Sequence, residues 1–285
     1  MGAAASLVTA LLTTISLAWA GDGPPVHDPL RLLSGQNFDA VEHAYADLQI
    51  NFDKGIVTEY ELADAYKAFY QTDDVYRPQL DGWIKRYPKS SSAYLARGIY
   101  FRKLGESRRG GDYASKVPDE AMAYMTQMHA LALQDLEAAL RLNPKSYLAI
   151  LHLLNIAMFD GDQAATDKYL AAGNAVAPGN LMIRARYLVS LAPKWGGSYE
   201  QMYEYIESCR AQGLAADKVE MLRAIRLDDM GHSFQEQGQP DMALGNYVAA
   251  LDVAKSAGTV FRRTYLKYSL QVCSMPQYKV EAFCQ

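Results

Sequence analysis

Two prolines, Pro144 and Pro178, limit this fold more than any other feature. Each closes an apolar, alanine-rich stretch, "LEAALRLNP" and "AAGNAVAP", and they stand 34 residues apart. Proline cannot continue a helix, and it pushes the residue before it out of the helical region. That spacing is the length of one helix–turn–helix repeat unit. Upstream of Pro144, Ala132, Leu136 and Ala139 fall on one helix face as small, large, small. Small residues there let two helices approach closely, and the large one plugs the space between them. The stretch "MGHSFQEQGQPDMALGNYVAALDVA" repeats the pattern, with Gly231 and Phe234 on a first helix, "GQPD" as the turn, and Ala243, Tyr247 and Ala250 on a second. A further boundary falls at Pro88 in "WIKRYPKSSSAYLARGIYF", a helix end followed by a serine cap and a new helix. One such hairpin cannot bury its apolar face alone, so neighbours must stack into a continuous core.

The rest of the chain reads as helix as well. "LLSGQNFDAVEHAYADLQINFDKG" spaces Leu32, Leu33, Phe38, Val41, Ala44, Tyr45 and Leu48 as one helix ended by Gly55. Thr58 and Glu61 predict a capping box for "EYELADAYKAFYQ". Asp73 or Asp74 caps "VYRPQLDGWIKRYP", which must stop before Pro88. No stretch alternates apolar and polar residues over a useful strand length. The fold class is therefore all-α, and the pattern resembles the tetratricopeptide-repeat (TPR) family in degenerate form: an α-solenoid of antiparallel helical hairpins. The Pro178 unit keeps Leu170 and Gly173 but has Thr166 where alanine is usual. A compact irregular bundle is the alternative. One polar insertion, "GESRRGGDYASKVPDE", interrupts the repeats; Pro118 then opens the helix toward Leu142, with Asp119 and Glu120 in its acidic first turn.

The N-terminus carries a targeting pattern. Residues 1–20 hold no Asp, Glu, Lys or Arg and end in Ala18-Trp19-Ala20, after which comes the polar "GDGPP". This predicts a signal peptide at 1–20, although its start has no basic residue. An uncleaved anchor competes, but Thr13, Thr14 and Ser16 interrupt a short apolar run. The expected order is then a flexible N-terminal segment at 21–34, a TPR-like helical domain at 35–272 and a C-terminal tail at 273–285. The product is expected in the bacterial periplasm or the medium, with no stable membrane span after cleavage. Export permits disulfides. Of three cysteines, Cys273 and Cys284 lie 11 residues apart and are the candidate bridge, leaving Cys209 as a buried thiol; three reduced thiols is the other outcome.

Enzyme signatures are absent. There is no G-x-S-x-G, no H-E-x-x-H and no phosphate-binding G-x-x-x-x-G-K-[ST]. None of the five histidines, His27, His43, His129, His152 and His232, stands at helical ligand spacing from another, so no metal or cofactor is expected. Adjacent Asp73-Asp74 and Asp228-Asp229 do not face each other on a helix. A formal charge of −4 leaves no global field for nucleic acid. Twenty tyrosines against eight phenylalanines suit either wet binding grooves or the edges of helix interfaces.

The basic residues are more suggestive. Arg97, Arg102, Lys103, Arg108 and Arg109 gather around the insertion with Tyr94, Tyr100 and Tyr113. Arginine forks grip carboxylates and phosphates, so this set is the candidate receiver of an acidic peptide tail or a cell-wall carboxylate. The competing reading pairs them with Glu106, Asp112, Asp119 and Glu120. A second candidate is "LAPKWGGSYEQM", where Pro193, Gly196, Gly197 and Ser198 join two helices. Trp195 is expected there as a wedge or a ligand contact, and Lys194 has no structural task.

Three blocks, "YPKSSSAYLARGIYF", "RRGGDYASKV" and "APKWGGSYEQMYEYI", resemble the bacterial exported proteins that carry the domain of unknown function 4034. The likeness spans about residues 81–206 and implies a helical, repeat-like domain without an assigned activity. The expectation is a non-catalytic exported protein that binds a protein or peptide, acidic in composition, or a cell-envelope polymer on a concave surface. The alternative is a cell-envelope hydrolase with dispersed carboxylates.

Overall fold

A computed structural model describes residues 28–110, 116–257 and 273. The described residues are helical and contain no strand. In chain order the helices are α1 (Pro29–Ser34), α2 (Phe38–Asp53), α3 (Glu59–Tyr66), α4 (Arg77–Arg86), α5 (Ser91–Arg109), α6 (Asp119–Leu142), α7 (Tyr147–Phe159), α8 (Gln163–Val176), α9 (Met182–Ser190), α10 (Tyr199–Ala211), α11 (Ala216–Glu236) and α12 (Pro240–Ser256). Among the described residues, the all-α expectation holds.

Thr58 and Glu61 form the expected capping box in full, and α4 stops before Pro88. Asp73 accepts from the Val75 amide at 3.0 Å, but it caps the 3-10 turn Asp74–Tyr76 that leads into α4; α4 itself follows Tyr76 without a side-chain cap. Two expectations need correction. The helix expected through residues 32–53 is two helices, because Gln36 turns to a positive φ of 57° and Asn37 caps α2 by accepting from the Ala40 amide. Residues 29–34, expected within a flexible segment, form α1. Asp28 caps it and Leu33 is buried, so ordered structure begins before residue 35.

The small–large–small pattern has a direct physical counterpart. Along α5, Ser91 Oγ donates to the Ala139 carbonyl, Gly98 faces Ala132 and Leu136, and Gly105 faces Met125 and Met128. Numbers rise on α5 as they fall on α6, so the two helices are antiparallel. A Cβ on Gly98 would lie 2.8 Å from Leu136 Cγ, and one on Gly231 would lie 2.5 Å from the Tyr247 ring. Leu136 and Tyr247 are thus plugs seated on the bare backbone of the facing helix, between the buried pairs Ala132/Ala139 and Ala243/Ala250. Thr166 is buried too, its hydroxyl satisfied on the Asp162 carbonyl at 2.8 Å of its own helix.

The main core begins in an aromatic cluster of Tyr45, Tyr66, Phe69 and Trp83 and continues through α5, α6 and α7. A second core joins α9 to α12 around Leu188, Met202, Ile206, Leu222 and Leu251. Several buried tyrosines find acceptors for their hydroxyls, Tyr45 on the Ala65 carbonyl and Tyr247 on Gln235 among them, whereas the Tyr66 hydroxyl has none. Much of the tyrosine excess therefore serves helix interfaces. Glu59, at the start of α3, accepts from the Leu181 and Met182 amides at 2.8 and 3.0 Å and from the Tyr147 hydroxyl. One carboxylate thus caps α9 from 122 residues away. Cys209 is free and buried, as expected. Cys284, and with it the candidate bridge to Cys273, lies outside the described residues, as does the leader.

Candidate functional site

The joint between α9 and α10 is built by elimination of side chains. Pro193–Trp195 form a 3-10 turn and Gly196 takes a left-handed φ of 91°. A Cβ on Gly197 would sit 2.1 Å from the Leu191 carbonyl oxygen, so no larger residue fits. Ser198 then caps α10 on the Gln201 amide at 3.1 Å. This geometry sets the half-buried Trp195 ring edge-on against Phe159, the last residue of α7, with ring centres 5.2 Å apart.

Phe159 is a meeting point. The Arg109 guanidinium lies 5.7 Å from its ring centre and that of Arg186 lies 5.8 Å away. His129 meets the same ring at 6.1 Å and holds Asp160 through Nδ1 at 3.2 Å. Further back along α5, buried Arg102 pairs with Glu106 one turn on. Lys103 reaches the same carboxylate at 3.1 Å and sits 4.9 Å from the Tyr70 ring centre. Tyr70 in turn meets His152 edge-on at 6.2 Å. Two helices, α5 and α9, therefore bring Arg102, Lys103 and Arg186 around one carboxylate, Glu106, and α7 adds His152 beside them.

Burial and like charge shape the protonation states here. Burial, reinforced by Arg102, Lys103 and Arg186, holds the His152 imidazole well below its ordinary value, so it is neutral near pH 7. Burial first and Arg102 second push Arg186 down to about 10. Burial works to raise Glu106, but Arg102 and Lys103 outweigh it and its carboxyl titrates below the usual range. The His152 shift carries a pH signature. The unfolded imidazole protonates near pH 6.5 and the folded one does not. The contribution is thus intact above that pH and is lost as pH falls below it, by about 1.4 kcal/mol per pH unit. Urea unfolding of wild type and His152→Leu at pH 7.5 and 5.5 checks this: the variant should lose this part of the acid sensitivity.

The candidate residues from the sequence divide into two sets. Arg109 and Trp195 come together at Phe159, and Arg102, paired with Glu106, acts on Arg186 beside them. Arg97 does not join them: its Nε and Nη2 grip Asp135 at 2.8 Å each, and Nη1 takes Asp81 at 2.7 Å. Tyr100 is buried and donates to the Asp73 carbonyl at 3.1 Å, and Tyr94 is half-buried against the main core. Arg108 lies 3.9 Å over the Tyr124 ring, across the α5–α6 hairpin. Lys194 acquires a neighbour, since its charge acts on Asp229 of α11. Tyr113 and Asp112 lie outside the described residues. Of the ion partners among the described residues, Asp135 and Asp81 serve Arg97, which was not expected, and Glu106, which was, pairs with Arg102 and Lys103.

Sequence reading missed Arg186, His152 and Phe159. The signal was there for Arg186: "IRARYL" sets two arginines into an otherwise apolar helix. Its neighbour Arg184 is buried, with Nη1 3.4 Å from Cys209 Sγ and Nη2 on the Pro178 carbonyl. A separate groove of about 370 Å³ between α6, α7 and α8 is lined by Leu140, Ile150, Leu153 and Tyr169 and shares none of the cluster's residues. Among the described residues no three His, Cys, Asp or Glu groups could hold a metal ion, and no helix is long and apolar enough to cross a membrane.

Residues 160–228 match the family described as Domain of unknown function (DUF4034), the family that the sequence resembles. The match runs from the end of α7 into α11 and contains Arg186, Lys194 and Trp195. Of the three resembling blocks, only "APKWGGSYEQMYEYI" falls inside it. No curated protein and no solved structure matches the chain.

Proposed function

We propose that this chain is an exported, non-catalytic helical-repeat protein, an α-solenoid of antiparallel hairpins, that binds an acidic protein or peptide segment across α5, α7 and α9. These are the first helices of the successive pairs α5–α6, α7–α8 and α9–α10, and first helices line the concave face of such arrays. The observation that carries the reading is the convergence of Arg109 from α5, Arg186 from α9 and Trp195 from the turn after α9 onto Phe159 at the end of α7. An aromatic pair flanked by arginines is the composition of a binding centre. Extended acidic segments suit it, because guanidinium forks take carboxylates in pairs of hydrogen bonds.

A displayed peptide library tests the reading. Acidic extended peptides should be enriched, their affinity should fall with added salt, and Trp195→Ala should abolish capture. That substitution should also cost about 2 kcal/mol, less than for a fully buried tryptophan, so capture is measured well below the variant's Tm, with Trp195→Phe as the packing control. Enrichment of basic peptides, or full capture by folded Trp195→Ala, overturns the proposal. Export is tested separately by the mass of the native protein, which should begin near Gly21; retention of residues 1–20 overturns that part.

A further inference from the structure

We propose that Arg102, Lys103 and Arg186, together with His152, form a subsite for one oxyanion of the bound ligand, a carboxylate or a phosphate group. The inference rests on the reading of α5, α7 and α9 as the binding face, and it names what that face grips.

Donor accounting comes first. A guanidinium carries five N–H donors in a fixed fork. Arg102 is only 4% exposed and spends one terminal nitrogen on Glu106. Its Nε is buried and has no acceptor among the described residues. Arg186 Nε is likewise buried without an acceptor, its guanidinium stands 5.8 Å from the Phe159 ring centre, and it feels Glu106 only through charge, without a hydrogen bond to it among the described residues. His152 Nδ1 is a third buried polar atom in this state. Folded proteins leave few such atoms unmatched, and charged ones fewest of all.

Charge points the same way. Three cations face a single carboxylate, and Glu106 is already shared by Arg102 and Lys103. Arg102 and Arg186 repel each other in a place where water screens poorly. An oxyanion between them supplies the missing acceptors and removes the repulsion in one step. The neutral His152 fits this role, since it can offer an N–H without adding a fourth charge. The aromatic rings of Tyr70 and Phe159 border the arginine–lysine group and restrict the ligand to a compact head. The residues come from α5, α7 and α9, and α7 packs on both of the others, so the donors are held before any ligand arrives.

The test uses the full-length mature chain with sodium phosphate and sodium succinate as probes, against sodium chloride at equal ionic strength. The Arg102 and Arg186 side-chain Nε–H signals should shift saturably, while those of Arg97, already committed to Asp135 and Asp81, stay fixed. The Tm should rise by about 5 °C at a probe concentration near 100 times Kd. Arg186→Met should fold at least as stably as wild type without probe, because it removes a repelled charge, and should weaken probe binding at least tenfold. Arg186→Lys, which keeps the charge and loses the fork, should fall between them. A response to succinate alone assigns a carboxylate, one to phosphate alone assigns a phosphate group, and either supports the subsite. No shift at Arg102 and Arg186, or an Arg186→Met response equal to wild type, overturns it. If small anions fail while acidic peptides still bind in a Trp195-dependent manner, the subsite falls and the binding face stands. If anions bind and no peptide does, the face is wrong and the subsite is real.

Discussion

Arg97→Met is expected to destabilise the protein by about 3 kcal/mol, measured by urea unfolding. The Arg97 fork ties α5 to α6 through Asp135 and to α4 through Asp81. Asp135 is nearly inaccessible, its side chain 6% exposed, whereas Asp81 is 46% exposed and can turn to water. Removing the arginine therefore strands one buried carboxylate, and that is where the cost arises. The double variant Arg97→Met/Asp135→Leu should recover more than half of the loss, because an apolar pair of similar volume replaces the buried ion pair. A single variant as stable as wild type would return Arg97 to the list of free ligand contacts.

Glu59→Ala is expected to cost about 2–4 kcal/mol, and the damage should be local to α9. The carboxylate satisfies two amides at the start of that helix and the buried Tyr147 hydroxyl. Loss of an N-cap costs about 1 kcal/mol and an unsatisfied buried hydroxyl about 1–3 kcal/mol. Tyr147→Phe removes the hydroxyl at source, so in a double-mutant cycle the two changes should be clearly less than additive. Hydrogen exchange at the Leu181 and Met182 amides should accelerate well before global unfolding. Unchanged exchange there would show that Glu59 does not hold the helix.

Capping and packing were legible because they depend on short spacings. Thr58 and Glu61 lie one turn apart, and Ala132, Leu136 and Ala139 share a face by helical period alone. The break at Gly35–Asn37 was missed because the apolar period continues through it; only the positive φ of Gln36 and the Asn37 cap reveal the turn. The candidate site was half legible. Arginine in number marked α5, but which arginines pair internally was decided by α4 and α6. Asp135 lies 38 residues from Arg97, and no local pattern connects them.

By itself the sequence determined the all-helical class, most of the helix ends and caps, and the glycine joint that places Trp195. These follow from backbone sterics and from the period of apolar residues, which act within a few residues of chain. Tertiary structure decided which charges are spent and which are left over. It paired Arg97 with Asp135, sent Glu59 across to cap α9, and gathered Arg102, Arg186 and His152 where donors outnumber acceptors. A charge's partner is fixed by distance in space and by the loss of water around it, and neither quantity is written along the chain.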